Sequence, residues 1–201
     1  DIFATVKRAP DSLARRIAGI PGVATVQTRI VEGALLDVKN MKAPATGLAM
    51  SVPDHREAKL NRQYLRMGRF PAPGSTREVM VNESFANAHG MSLGSRFSAT
   101  LNGIKRELTI VGIALSPEFI YAVGGGDIIP DPRRFGILWM SQKTLEAIFD
   151  LEGAFNSVTL KLLRDASHPE VIGQLDDLLA PFGGTGAYGR KDQQSHAFLD
   201  A

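Results

Sequence analysis

Residues 90–94 read Gly-Met-Ser-Leu-Gly, a G-x-S-x-G pattern with His89 immediately before it. In α/β-hydrolases this pattern carries a nucleophilic serine, because a strand runs into a tight turn and then a helix. That turn lifts the serine above the sheet and aims a backbone amide at the oxyanion. Here the surroundings run the other way. A helical stretch, ESFANAH, precedes the turn, and a strand-like stretch, RFSATL, follows it. No HGGG-type oxyanion loop lies upstream. Ser92 therefore reads as a turn residue, and an enzyme using Ser92 or Ser116 with a histidine ranks third among the readings, removed if Ser92→Ala leaves any esterase activity unchanged.

Other motifs fail for similar reasons. Residues 184–189, Gly-Thr-Gly-Ala-Tyr-Gly, match the dinucleotide fingerprint G-x-G-x-x-G. That site needs a strand before it and a helix after it, so that the helix N-terminus meets the pyrophosphate. In this chain a helical pattern comes first and a basic strand, YGRKD, comes second. The run Gly124-Gly125-Gly126-Asp127 lacks the Gly-Lys-Ser/Thr ending of a phosphate loop. Histidines 55, 89, 168 and 196 have no metal-ligand spacing. The acidic pairs Asp127/Asp131 and Asp176/Asp177 read as solvated charge. We expect no catalytic residue, no metal and no cofactor in this segment.

Composition narrows the classes further. The chain has 201 residues, 44% hydrophobic and 22% charged, as in an ordinary soluble domain. Its longest stretch free of Asp, Glu, Lys and Arg is twelve residues, as at 178–189. A membrane-spanning helix needs about twenty apolar residues. No basic start followed by an apolar run marks a signal peptide. The absence of cysteine excludes disulfides, cysteine-ligated zinc and thiol chemistry. The net charge is +2 and the basic pairs are scattered, which argues against nucleic acid. The chain begins at Asp1 rather than Met, and we expect it to be a segment of a longer parent.

The elements that position these residues can be read from period and punctuation. Pro10 can open a helix through DSLARRIAGI, with Leu13, Ile17 and Ile20 on one face. Asn82 can cap ESFANAH, ended by Gly90. Ser141 can cap QKTLEAIFD, burying Leu145, Ile148 and Phe149. Ser167-x-x-Glu170 reads as a capping box ahead of a stripe of Val171, Ile172, Leu175, Leu178 and Leu179, which Pro181 stops. VATVQTRIV, TGLAMSVP, EVMVN, RFSATL, ELTIVGIAL, FGILWM and NSVTLKLL read as strands. Asn102-Gly103 between two of them is a type I′ hairpin signal. Residues 1–52 thus read β-α-β-β and residues 153–201 read β-α-β. Between them, residues 53–152 are mostly strands. We expect an α+β fold in which both chain ends build one subdomain around an inserted, strand-rich one.

The stretch EVMVNESFANAHGMSLGSRFSATLNGIKRELTIVGIA resembles the signature of the MacB-like periplasmic core domain, found in permease subunits of FtsX-family ABC transporters. Leu65, Gly68, Arg69, Pro71, Gly74, Glu78 and Val79 match that family's entry into the signature, and IPGV at 20–23 matches its opening. The resemblance implies a porter-like subdomain of βαβ elements from residues 1–52 and 153–201, with residues 53–152 inserted as the β-rich subdomain. It also implies one membrane helix before Asp1 and three after Ala201. The segment would be non-catalytic and lie on the periplasmic, extracytoplasmic side of a bacterial inner membrane. ATP would be bound and hydrolysed on a separate cytoplasmic ATPase subunit or domain. The segment would couple that work to export or to the movement of a partner. Partners would be that ATPase, a periplasmic adaptor or substrate protein, and a second permease in a dimer. The alternative reading is a small-ligand sensor domain of a membrane receptor.

One stretch stands apart. SPEFIYAVGGGDIIPDPRRF, residues 116–135, is irregular and rich in large apolar residues. Long loops in small domains are commonly lids or binding loops. Phe119, Tyr121, Ile128 and Phe135 are the candidate contacts with a partner, beside the plainer reading that each packs in the core.

Overall fold

The structure, a computed structural model, describes residues 1–119 and 131–190. Short β-branched and apolar runs, cut by Gly, Pro and Asn, form β1 (Ile2–Pro10), β2 (Val23–Arg29), β3 (Val31–Asp37), β4 (Ala45–Val52), β5 (Tyr64–Gly68) and β6 (Glu78–Asn82). They continue as β7 (Arg96–Leu101), β8 (Ile104–Leu115), β9 (Phe135–Ser141), β10 (Ala154–Leu162) and β11 (Tyr188–Gly189). The helices are α1 (Leu13–Ala18), α2 (Glu83–Ala88), α3 (Gln142–Ile148) and α4 (His168–Leu179). The fold is mixed α+β.

A smaller antiparallel sheet has the order β11-β1-β10-β2. One face carries Ile2, Ala4, Val6, Val158 and Leu160, and α1 and α4 cover it with Leu13, Ile17, Val171, Leu175 and Leu179. The other face follows from the register. Tyr188, Phe3, Thr159 and Gln27 lie directly across from one another in neighbouring strands, as do Thr5, Ser157 and Arg29. Cross-strand partners share a face, so this second face is polar and aromatic.

The larger sheet has the order β5-β8-β6-β9-β4-β3-β7, and β7 also pairs with β8. Six strands therefore close into a ring, with β5 left at an edge. The turn that permits closure is Asn102-Gly103, whose φ angles of 48° and 75° fit the expected type I′ hairpin. Strand β9 is buried along its whole length, with Leu138 and Met140 in one cluster and Phe135, Ile137 and Trp139 in another. A strand covered on both faces reads as a continuous apolar run rather than an alternation. At Gly47 and Gly136, paired across β4 and β9, the backbones approach so closely that a Cβ on Gly47 would stand 2.5 Å from the Gly136 carbonyl oxygen.

Several expectations need correction. Pro10 ends β1 opposite Ala154 instead of opening α1, because its neighbour Asp11 donates its N–H to the Gly153 carbonyl at 3.0 Å. VATVQTRIV is not one strand: it breaks at Ile30, where the chain passes from the smaller sheet to the larger. Residues 31–52, assigned above to the terminal subdomain, hydrogen-bond as β3 and β4 in the larger sheet. Strands β3 and β5 are additions to the strands read from the sequence. Ser167 makes no capping bond to α4, whereas Ser141 does cap α3 through the Thr144 N–H. Asn82 precedes α2 without capping it; its Oδ1 accepts from Ile137 N at 2.8 Å, pinning β6 to β9.

Candidate functional site

Ser92 and His89 do not form a dyad. The described order is α2, turn, β7, the reverse of a nucleophile elbow. Ser92 is exposed, and its N–H donates to Ser95 Oγ at 3.0 Å. His89 Nε2 lies 2.9 Å from the Arg133 carbonyl, and its ring packs on Phe85 with centroids 4.7 Å apart. The glycines at 184–186 return the chain from α4 to β11. There Thr185 N donates to the Thr5 carbonyl and Ala187 N to Asp176 Oδ1. These residues are occupied in holding turns.

The polar residues that do converge lie on the seam between the two sheets. At the crossover, Ile30 N donates to Ser51 Oγ at 2.9 Å, and Ser51 N returns a bond to the Ile30 carbonyl. Asn156 on β10, 6% exposed, accepts from Val31 N at 2.8 Å and donates to the Val31 carbonyl at 3.1 Å. Its amide thus stands in for a strand backbone. Its Nδ2 also donates to Glu32 Oε1 at 2.7 Å.

A second junction is ionic. Arg29, at the end of β2, directs Nη1 and Nη2 to the two oxygens of Glu118, each at 2.5 Å. Glu118 is 3% exposed and sits just after β8, at the root of residues 116–135. Both side chains are buried, so either charge alone would be desolvated without compensation, and the fork supplies that compensation as two charge-assisted hydrogen bonds. Asn61, at φ 49° in the loop between β4 and β5, donates to Glu118 Oε2 at 3.2 Å. Its Oδ1 accepts from Arg190 Nη2 at 3.2 Å, and Arg190 also pairs with Asp1. Arg190 further lies 5.7 Å over the Phe3 ring, and Tyr188 stacks on the same ring at 5.8 Å. Burial, then the nearby Glu118 charge, pushes the Tyr188 phenol up, with Arg29 opposing. A continuous chain of contacts therefore runs from Asp1 and Arg190 through Asn61 and Glu118 to Arg29.

Of the four candidate contacts, Tyr121 and Ile128 lie outside the described residues. Phe119 is half-buried against the cluster of Met50, Met80 and Trp139. Phe135 is 5% exposed within that same cluster, so the structure gives its ring to the core. The two described roots of the segment are both held: Glu118 N donates to Ser116 Oγ, and Arg133 N to Asp131 Oδ1 at 2.9 Å. The seam itself was missed in the sequence because Arg29, Asn61, Glu118 and Asn156 are far apart in the chain and belong to no motif. The one available signal was a glutamate inside an apolar stretch.

No family model matches this sequence, and no curated protein sequence does either. Solved structures do resemble the fold. The periplasmic region of MacB from Actinobacillus actinomycetemcomitans is similar with a TM-score of 0.53 at 13% identity, over 100% of this chain and 92% of that one. The extracellular domain of the noncanonic ABC-type transporter YknZ from Gram-positive bacteria is similar with a TM-score of 0.54 at 10% identity, over 94% of this chain and 100% of that one. No helix among the described residues is long and apolar enough to cross a membrane. The chain thus has the fold shared by the periplasmic region of MacB and the extracellular domain of YknZ.

Proposed function

We propose that this chain is the extracytoplasmic domain of an ABC transporter permease, non-catalytic in itself, which couples ATP hydrolysis on a separate cytoplasmic subunit to export or to the movement of a partner protein. The observation that carries the reading is the likeness in fold over nearly the full length of two such transporter domains. The smaller sheet with α1 and α4 is the porter-like subdomain, and the ring of strands is the inserted one. The domain holds no cofactor of its own. It takes its work from the membrane part of the permease and works beside an adaptor or substrate protein, in a permease dimer.

The seam supports the coupling half of this reading. Asp1 and Arg190 pair beside the neighbouring strands β1 and β11, at one edge of the smaller sheet, and Glu118 roots the long segment of the larger unit. A displacement of the Asp1–Arg190 end is then felt at Glu118 through Asn61. Reporter fusions along the parent chain test the proposal. One membrane helix upstream and three downstream, with this domain outside the cytoplasm, is the expected result. A single helix on each side leading into a cytoplasmic signalling module would replace it with a ligand-sensor role.

A further inference from the structure

The smaller sheet ends at β2, whose outer edge pairs with no described strand. A groove of about 400 Å³ lies along that edge, lined by residues 23–28. One wall is α1, through Ala14, Arg15 and Ala18; the other is the loop carrying Arg56 and Lys59. An edge strand facing a helix across an open groove is the arrangement into which an extended peptide adds itself as a further strand. The small side chains of Ala14, Ala18 and Ala24 leave room for it.

Native edges are usually blunted by charge, proline or bulges on the strand itself. Residues 23–28 read VATVQT, with no charge and no proline, and the one irregularity in pairing with β10 falls at Ala24, between Val23 and Thr25, leaving residues 25–28 in regular register. The charge sits on the walls instead. Arg15, Arg56 and Lys59 line the groove, no Asp or Glu does, and none of the three forms an ion pair with a described residue. Asp11 lies within electrostatic reach of Arg56 but outside the groove. In a chain of 23 basic and 21 acidic residues, three cations without an acid is a local choice of sign.

We propose that the groove between β2 and α1 receives an extended, acidic segment of a partner protein, which pairs its backbone with β2 and sets its carboxylates against Arg15, Arg56 and Lys59. The proposal does not rest on the permease reading, since it concerns this chain alone.

The test is fluorescence anisotropy with a labelled short peptide of alternating glutamate and valine. Two control peptides are used: one with lysine for glutamate, and one acidic but N-methylated at alternate backbone nitrogens. The acidic peptide is expected to bind saturably, and both controls are expected to fail. Filling the wall with Ala18→Trp, at an exposed position, should weaken binding at least about fivefold. Removing the cations together (Arg15→Ala, Arg56→Ala, Lys59→Ala) should weaken it about tenfold, at the rate typical of exposed charge pairs. Amide exchange at residues 23–28 should slow when the peptide saturates. Equal binding of the N-methylated peptide would reduce the groove to a diffuse charge attraction. Failure of the acidic peptide to bind, or a peptide-free dimer abolished by Ala18→Trp, would also overturn the proposal, the latter assigning the edge to a second copy of the chain.

Discussion

Arg29 and Glu118 form a two-pronged ion pair across the seam between the two sheets, with side chains only 10% and 4% exposed. Removing one partner of a buried pair leaves the other desolvated and unpaired, at about 3–5 kcal/mol. Glu118→Ala and Arg29→Ala should each lower stability by that order in urea unfolding. Replacing both residues with apolar ones, Arg29→Met with Glu118→Leu, should cost clearly less than the sum. An additive double mutant would show that the pair is not coupled, and that the seam is held elsewhere.

Asn156 holds the crossover by accepting from Val31 N and donating to the Val31 carbonyl and Glu32. Asn156→Ala orphans the Val31 N–H, with an expected loss of about 1–3 kcal/mol. Asn156→Asp keeps the acceptor but turns a carboxylate toward Glu32, so its loss should be larger near neutrality. The new group's folded pKa would lie above its unfolded value, so stability should recover as the solution is acidified through the carboxylate range. Unfolding midpoints of both variants against pH separate the two effects. A flat profile for Asn156→Asp would place the side chain away from Glu32.

Close packing at the ring is tested by a matched pair of glycines. A methyl on Gly47 would meet the Gly136 carbonyl oxygen at 2.5 Å, an atom that cannot move aside without shifting β9. Gly47→Ala should destabilise by about 1–3 kcal/mol or more, as overpacking does. At Gly33, on the neighbouring strand, a Cβ would meet nothing within 4 Å. Gly33→Ala should be neutral or gain about 0.4–1 kcal/mol by restricting the unfolded chain. Thermal unfolding of the two variants side by side gives the comparison.

What could be read in the sequence was local. Asn102-Gly103 and Ser141 announced a hairpin and a cap because turn and cap chemistry is settled by one or two residues. The stripe of α4 was legible for the same reason, since its period is internal to the helix. The capping box failed, although Ser167 and Glu170 have the right spacing, because spacing does not ensure that the serine side chain turns onto the backbone. Partnership between strands is not local. VATVQTRIV contains no mark at Ile30 that the chain changes sheets there. What pins that change is Ser51 and Asn156, which lie 21 and 125 residues from the backbone groups they hold. Arg29 and Glu118, 89 residues apart, are hidden in the same way.

Glu78 offers a pH readout of the loop between β5 and β6. Its carboxylate accepts from Arg69 Nη1 and Nη2 at 2.8 and 2.6 Å and from Ala72 N at 2.7 Å. The Arg69 guanidinium, aided by the Ala72 N–H and opposed by partial burial, holds this carboxyl down from its ordinary 4.5 to about 2. A folded pKa below the unfolded one adds stability above the unfolded value, and that stability is lost as pH falls through the folded one. The loss therefore falls between about pH 4.5 and about pH 2. Because the Arg69 side chain is 57% exposed, solvent screening limits the effect to about 1 kcal/mol. Glu78→Gln should lose about that much at neutral pH and flatten this part of the acid-unfolding profile, while Arg69→Lys, which keeps the charge but not the fork, should fall between the two. An unchanged acid profile in Glu78→Gln would mean that the carboxylate contributes nothing to closing the loop.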